Sequence, residues 1–347
     1  MTSDIAAILA IDGIASGAIY VLIAIGFVLI FAVTRVIFVP FGDIAAFTGL
    51  TLAALETKQL PGTMGLVALL ALLATAMQIS ADLRAGAAKA IPYTLLFYLG
   101  LPLVPVLLMW LAAGAALAMP VRIALSLLLI LPISPLLDRI VFRPIADASV
   151  LLLLTVAMAL HFALVGLGLL FFGPEGVRTQ PLTDASLEVA GMLVSLQTFM
   201  IVASAVLFSG LLYAFFGYTI TGKALRATAV NRTGARLVGI RPARAGTIAY
   251  LLASVLAGIS GILISPVTTI FYDSGFLFGL RAFVGAIIGA MVSYPITALG
   301  AVLVGLLESF ASFWSSAFKE VIVFSFLIPV LLWRSLTVGE AEDEAEE

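Results

Sequence analysis

Long apolar runs, separated by short clusters of charged, glycine or proline residues, follow one another along the whole chain. Runs such as Leu95–Trp110 and Val150–Phe172 match the roughly 20 apolar residues with which a helix crosses a ~30 Å hydrocarbon core. The pattern predicts about eleven apolar segments, at residues 5–33, 44–55, 63–79, 91–118, 121–136, 149–172, 189–217, 246–270, 277–293, 299–315 and 319–334. Segments 44–55 and 121–136 are short for a full crossing, so each is expected to be tilted, re-entrant or extended by its neighbours.

Composition places these segments in a membrane. The chain has 347 residues, of which 63% are apolar and only 10% are charged, whereas a soluble domain carries about 25% charged residues. We therefore predict an all-α, polytopic transmembrane bundle with about 8–11 membrane segments. The net charge of −2 offers no basic face for nucleic acid. With no cysteine and the single histidine His161, no metal site is expected.

The loops give the orientation. If every segment crosses, twelve Lys and Arg residues lie in the loops of one side and four in those of the other. The cation-rich side holds Arg35, Arg84, Lys89, Arg139, Arg143, Lys223, Arg226, Arg232, Arg236, Arg241, Arg244 and Arg334. Cytoplasmic loops carry the excess of cations, so we expect a periplasmic N-terminus and a cytoplasmic C-terminus. A transmembrane domain at 1–336 would then be followed by an acidic, disordered cytoplasmic tail at 337–347.

The longest polar interruption between two apolar segments is residues 219–244, which carry six cations and no acid. Within it, apolar and basic residues alternate at near-helical spacing, Gly239 is a plausible C-terminal cap, and Pro242 opposes continuation of the helix. The stretch predicts one or two short helices outside the bilayer that dock a separate motor protein. Residues 217–223 have the spacing of a phosphate-binding loop, but Ala224 replaces the magnesium-ligating hydroxyl, so no ATP site is expected here.

Four stretches then carry a family resemblance: GIASGAIYVLIAIG at 13–26, LDRIVFRP at 137–144, GKALRATAVNRTGARLVGI at 222–240, and GLRAFVGAIIG at 279–289 followed by GLLE at 305–308. In this order they resemble the LivH-type permeases of the bacterial branched-chain amino-acid ABC importers. The resemblance implies an inner-membrane permease subunit and not an enzyme.

The resemblance also implies partners: a second, LivM-type permease, two cytoplasmic ATPase subunits and a periplasmic substrate-binding protein. ATP and Mg²⁺ would be bound by the ATPase subunits, and no cofactor by this chain. The match places the coupling region at Gly222–Arg244. Its ATPase-coupling candidates are Lys223, Arg226, Asn231, Arg232, Arg236, Gly239 and Arg241.

Two departures from the family pattern leave the substrate open. FVPFGD stands at 38–43 where the family usually has Asn-Phe-Ala-His-Gly-Glu, and the stretch at about 62–118 is longer than usual, as an added helical hairpin would be. Branched-chain amino acids, other amino acids, amides or urea, and aromatic acids all fit. A homodimeric and a heterodimeric permease core remain open too, although the family suggests the latter.

Ionisable residues inside membrane segments are costly and face the protein interior. Asp43, Arg281, Glu308 and Ser309 are therefore the translocation-path candidates. The structural alternative is that Glu308 is a buried residue that pairs with Arg281 or caps backbone groups. Asp43 either lines the path or caps the following helix. His161 is expected to be a satisfied interior residue. The small residues Gly13, Ser16, Gly17, Gly285 and Gly289 are expected to allow close helix packing.

Two other functions compete with an ATP-driven importer. A self-contained secondary transporter would need acids in its spans to carry a coupling ion, and few are present. An intramembrane enzyme would need a convergent nucleophile, base or metal site, and one histidine without cysteine provides too few candidates.

Overall fold

A computed structural model of the chain describes residues 3–112, 114–189, 192–326, 328–330 and 332. These residues contain eight helices that are long and apolar enough to cross a membrane, which confirms the predicted polytopic bundle. They are Asp4–Thr34, Thr63–Arg84, Ala88–Leu111, Met119–Ile145, Val150–Phe172, Leu196–Tyr218, Pro242–Ile264 and Tyr294–Trp314. The acidic tail at 337–347 and the end of the predicted 319–334 segment lie outside the described residues.

Some membrane helices consist of several shorter elements, because their backbone changes between α-, 3₁₀- and π-helical geometry along their length. The α-helices are α1 (Ser3–Thr34), α2 (Phe41–Glu56), α3 (Thr63–Arg84), α4 (Ile91–Thr94), α5 (Leu101–Leu111), α6 (Met119–Ile130), α7 (Ile133–Leu137), α8 (Val150–Phe172), α9 (Leu196–Tyr218), α10 (Ile220–Val230), α11 (Arg232–Leu237), α12 (Pro242–Ile264), α13 (Ser274–Ile288), α14 (Tyr294–Trp314) and α15 (Lys319–Ser325). The 3₁₀ turns are Ala88–Ala90, Arg143–Ile145 and Ser316–Phe318, and the π-helical segments are Leu95–Gly100 and Asp138–Phe142.

A small hairpin corrects one predicted boundary. Strands β1 (Ser186–Val189) and β2 (Met192–Ser195) pair antiparallel where the apolar pattern predicts a segment from residue 189. The helix begins only at Leu196, because Ser195 has extended backbone and its hydroxyl accepts the N–H of Gln197 at 3.2 Å. A serine with this geometry is a helix N-cap.

Helix α1 lies at the centre of the bundle and packs against α9, α12, α13 and α14. Most of its apolar length is buried, whereas α8 and α9 bury only a minor part of theirs. Because the predicted 44–55 segment is also buried almost completely, the core of the bundle consists of α1, α2 and α12. The outer helices present apolar surface that suits lipid.

Helices α2 and α13 are half-length helices that begin inside the bundle. Asp43, in the first turn of α2, meets His161, which lies eleven residues from either end of α8, or ~16 Å at 1.5 Å per residue. The first turn of α13 reaches the same level, since a Cβ on Gly42 would overlap the carbonyl oxygen of Gly275. The shortness of the 44–55 segment thus has a structural cause, namely that its chain re-enters the bundle before the helix starts.

The 62–118 stretch contains two helical arms, α3 and the composite helix Ala88–Leu111, which pack against each other. The second arm contains the π-helical segment and Pro102 and Pro105. That this hairpin is an addition to the family pattern stays a prediction.

Candidate functional site

A charged cluster joins α1, α13 and α14 within the bundle. The guanidinium of Arg281 lies 3.0 Å from Glu308 Oε1 and donates to the hydroxyl of Tyr20 at 3.2 Å. That hydroxyl in turn donates to Glu308 Oε2 at 2.6 Å. Arg281 is only 7% exposed, so the carboxylate and the phenol replace the water that a free guanidinium would need.

Two residues of α15 extend this cluster. Glu320 lies 3.3 Å from Arg281, and the amine of Lys319 lies 3.9 Å from Glu308. The cluster therefore holds two carboxylates and two cations. The expected pairing of Glu308 with Arg281 is confirmed, while a role of either residue in translocation stays a prediction.

Small residues bring these helices into contact. A Cβ on Gly305 would overlap the backbone of Gly13 and Gly17, and one on Gly285 would lie 2.8 Å from the backbone of Ala301. Glycine at such positions lets two helix backbones approach each other. The expectation of close packing at these glycines is confirmed.

Beside the cluster, a cleft of about 310 Å³ opens along the seam between α1 and α14. Its lining is mostly polar and comprises Leu9, Asp12, Ser16, Glu308, Ser309, Ser312 and Phe313. The hydroxyl of Ser309 donates to the carbonyl of Leu9 at 2.7 Å. Asp12 is exposed at this cleft, although it lies within a membrane-crossing helix.

Asp43 belongs to a different cluster, at the level where α2 and α13 begin. Its Oδ2 lies 2.7 Å from Nδ1 of His161, and both residues are buried. Among the described residues, Oδ1 of Asp43 has no hydrogen-bond partner. The ring of Phe276 packs on His161 with 5.0 Å between the ring centroids. His161 is thus satisfied in the interior, as expected, and Asp43 and Arg281 have different partners.

The basic stretch at 219–244 forms two short helices, α10 and α11, as its pattern predicts. Asn231 caps α11 by accepting the N–H of Gly234 at 2.8 Å. Helix α11 ends before Gly239, which has a φ of +85°. The N–H groups of Gly239 and Ile240 donate to the carbonyl oxygens of Arg236 and Ala235, respectively. This bonding is a Schellman motif, for which glycine is the favoured residue. The predicted cap at Gly239 is confirmed.

The cations of this stretch fall into two groups. Arg226 donates to the carbonyl of Phe216 at 2.7 Å and Arg232 to that of Ala146 at 3.4 Å, so both hold the stretch to its own bundle. Lys223, Arg236, Arg241 and Arg244 are exposed, and within the described part of the chain their side chains form neither a hydrogen bond nor an ion pair.

The exposed cations accompany exposed apolar side chains. Val230, Leu237 and Val238 are 86%, 84% and 75% exposed. A concave surface of about 600 Å³ lies among them, with a lining that includes Lys223 and Val230. Large exposed apolar side chains beside charged ones are typical of a protein-docking surface.

Sequence reasoning missed Tyr20 and Glu320 as partners of Arg281. Tyr20 is one aromatic residue within a long apolar run. Its hydroxyl becomes a partner of Arg281 and Glu308 only because α13 and α14 face this side of α1. Sequence reasoning also missed Asp12, although an acid inside an apolar helix is itself a signal of a polar contact. Among the described residues no group of three His, Asp or Glu side chains could hold a metal ion.

Comparison with known proteins agrees with this architecture. The family described as "Branched-chain amino acid transport system / permease component" matches residues 9–332. The high-affinity branched-chain amino acid permease proteins LivH of Salmonella typhimurium and LivH of Escherichia coli K12 are 26% and 27% identical to it, over 209 and 202 residues. Each of these matches covers 56% of this chain and 66% of the relative, which is slightly less than two thirds of its length.

A longer match links the chain to BraD, a high-affinity branched-chain amino acid permease protein of Pseudomonas aeruginosa. The two are 27% identical over 251 residues, which cover 70% of this chain and 78% of BraD. No solved structure matches the chain. Because the family match extends over nearly all of the described bundle, the chain belongs to the family of permease components of branched-chain amino acid transport systems.

Proposed function

We propose that the chain is a translocation subunit of an ATP-driven importer in the bacterial inner membrane, and that it performs no covalent chemistry. Its cargo would be amino acids or related small polar or organic-acid solutes, with branched-chain amino acids the first to test because LivH and BraD carry that name. The observation that carries the proposal is the surface of α10 and α11, where exposed cations lie beside exposed apolar side chains. Such a surface fits a cytoplasmic ATPase with an acidic, partly apolar cleft, and ATP and Mg²⁺ would be bound by that partner.

The attachment of α10 supports a mechanical role. Leu225, 1% exposed, packs into a core cluster with Leu29 of α1, Phe216 of α9 and Ala249 of α12. A force applied to α10 is therefore passed directly to three membrane helices. Closure of the ATPases would bias the bundle between outward-open and inward-open packings.

The polar cleft between α1 and α14 supports a second permease subunit of LivM type. A carboxylate that faces lipid is costly, up to about 2.5–3.5 kcal/mol at the centre of the membrane. Asp12 and Glu308 both line the cleft, so this face is better covered by a partner or an aqueous path than by acyl chains. The cargo, released by a periplasmic binding protein, would pass between the two permeases at this seam.

The coupling surface is tested with two charge-reversal variants. Lys223→Glu with Arg236→Glu changes exposed side chains of the docking surface, and Lys58→Glu reverses an exposed cation on the opposite, proposed periplasmic side. In proteoliposomes that contain the assembled importer, only the first variant should abolish ATP-dependent uptake of radiolabelled leucine, with membrane insertion intact. Unchanged uptake, or ion-driven uptake by this chain alone, contradicts the proposal.

The proposed orientation has its own test, because the chain contains no cysteine. Glu188→Cys, in the exposed β1 strand, should react with a membrane-impermeant maleimide in spheroplasts. Arg236→Cys should react only after permeabilisation. The reverse pattern would contradict a periplasmic N-terminus and a cytoplasmic C-terminus.

A further inference from the structure

A second cavity, of about 380 Å³, lies on another part of the bundle, between the helical hairpin, α6–α7 and α12. Its lining is apolar except near one end, and comprises Phe97, Tyr98, Leu101, Pro102, Val104, Pro105, Leu128, Leu131, Pro132, Pro135, Leu136, Arg143, Thr247 and Leu251. Neither the polar cleft nor the docking surface shares a residue with it.

Irregular backbone creates this cavity. Four prolines line it, and each lacks the N–H that would bond the carbonyl four residues earlier, which removes helical bonds to Tyr98, Leu101, Leu128 and Leu131. Those four residues line the same cavity. The π-helical segment Leu95–Gly100 contributes Phe97 and Tyr98 to the lining, and the segment Asp138–Phe142 lies in the chain between the lining residues Leu136 and Arg143. Such π-helical turns are frequent at functional sites.

The cavity has the shape of a groove. Its lining extends from Phe97 to Pro105 on the hairpin, or ~12 Å at 1.5 Å per residue, and further along the α6–α7 wall. A volume of about 380 Å³ over such a length leaves room for one extended hydrocarbon chain and not for a helix ~10–12 Å in diameter. Leu101 and Val104 are about half exposed, so the groove opens toward the lipid-facing surface.

Charge distinguishes the two ends of the groove. Arg143 lines one end, where its guanidinium lies 2.9 Å from Asp138 and donates to the hydroxyl of Thr247 at 2.6 Å. At the same end, Arg139 joins the wall to the hairpin by donating to Gln78 at 2.7 Å. The other end is formed by apolar side chains alone.

The net charge of this end is positive. Residues 78–94 and 138–145 together carry four cations and two acids. Arg84 and Lys89 are exposed, whereas the carboxylate of Asp82 already accepts hydrogen bonds from Gln78 and Thr94. In the orientation proposed above, this end lies at the cytoplasmic leaflet, where anionic lipids are attracted by basic residues near the membrane surface.

We propose that this groove binds one anionic phospholipid of the cytoplasmic leaflet, with an acyl chain along the hairpin wall and its phosphate at the basic end beside Arg143. The bound lipid would fill the space that the prolines and π-helical turns leave between the hairpin and the permease core.

The acyl-chain part is tested by native mass spectrometry of the purified full-length chain after exchange into phosphatidylglycerol or phosphatidylcholine. The wild type should retain one phosphatidylglycerol. Leu101→Trp fills the groove, and Val104→Trp repeats the test one turn further along. Both should lose the lipid, whereas Leu151→Trp, at a 74% exposed position of α8, should keep it. Equal retention by the groove variants and the Leu151→Trp control overturns the proposal.

The headgroup part is tested with cations outside the hydrogen-bonded core. Arg84→Gln with Lys89→Gln should lower the preference for phosphatidylglycerol over phosphatidylcholine, by up to about fivefold for each charge removed. Lys58→Gln, an exposed cation at the opposite end of the bundle, should leave the preference unchanged. Equal retention of both lipids by the wild type overturns the anionic specificity. These measurements need no transport assay, so their failure is distinct from a failure of the proposed import function.

Discussion

Replacing His161 with leucine leaves Asp43 buried without its side-chain partner. The carboxylate is 0% exposed, its Oδ2 is bound by His161 at 2.7 Å, and its Oδ1 has no partner among the described residues. Removing the hydrogen-bond partner of a buried polar group costs about 1–3 kcal/mol, and more for a charged group, because its desolvation is no longer compensated. We expect His161→Leu to lower the free energy of unfolding by about 3 kcal/mol, because a buried carboxylate is at the upper end of this range.

The measurement is a titration with sodium dodecyl sulfate in mixed micelles, followed by tryptophan fluorescence. Adding Asp43→Asn to His161→Leu removes the ionisable group and should bring the double variant to within about 1 kcal/mol of the wild type, the size of an ordinary lost hydrogen bond. Phe162→Leu, at a 66% exposed neighbour on α8, should have little effect. A fully stable His161→Leu, or a double variant no more stable than the single one, would refute the uncompensated-charge reasoning.

Two further predictions concern the helix contacts around the charged cluster, and the same titration measures both. Gly305→Ala should destabilise the bundle by about 1–3 kcal/mol, the usual cost of overpacking. Gly210→Ala should be neutral or slightly stabilising, because a Cβ added at this helical position meets open space. Similar effects at both sites would contradict the close α1–α14 contact. Glu308→Gln should cost about 3 kcal/mol because it takes a charge from the buried Arg281. Glu320→Gln, whose side chain is 42% exposed, should cost at most about 1 kcal/mol, and a reversed order would show that Glu320 is the main partner.

The sequence was informative where a local pattern determines the structure. Apolar runs located the membrane helices because backbone groups in lipid must bond within a helix, and Gly239 marked a helix end because its positive φ favours glycine. The pairing of Arg281 with Glu308 was foreseeable because an ionisable group in a membrane segment needs a partner.

Long-range contacts explain what the sequence left undetermined. His161 and Asp43 are 118 residues apart, and no periodicity indicates that α8 faces the start of α2. Composition also does not reveal which cations of the 219–244 stretch bond to the bundle. Lys223 and Arg226 are both basic residues of α10, but only the structure shows that Arg226 donates a hydrogen bond to the carbonyl of Phe216, near the end of α9.

The crossing of α2 and α13 at Gly42 and Gly275 brings backbone against backbone. The two half-helices are in backbone contact at this point, and a rotation of α2 about it would have to carry along α12, against which α2 also packs. The far end of α2 lies thirteen residues beyond Asp43, or ~20 Å, so a rotation of about 10° would displace it by ~3.5 Å. A small rotation at the middle of the bundle would thus become a larger displacement at the far end of α2.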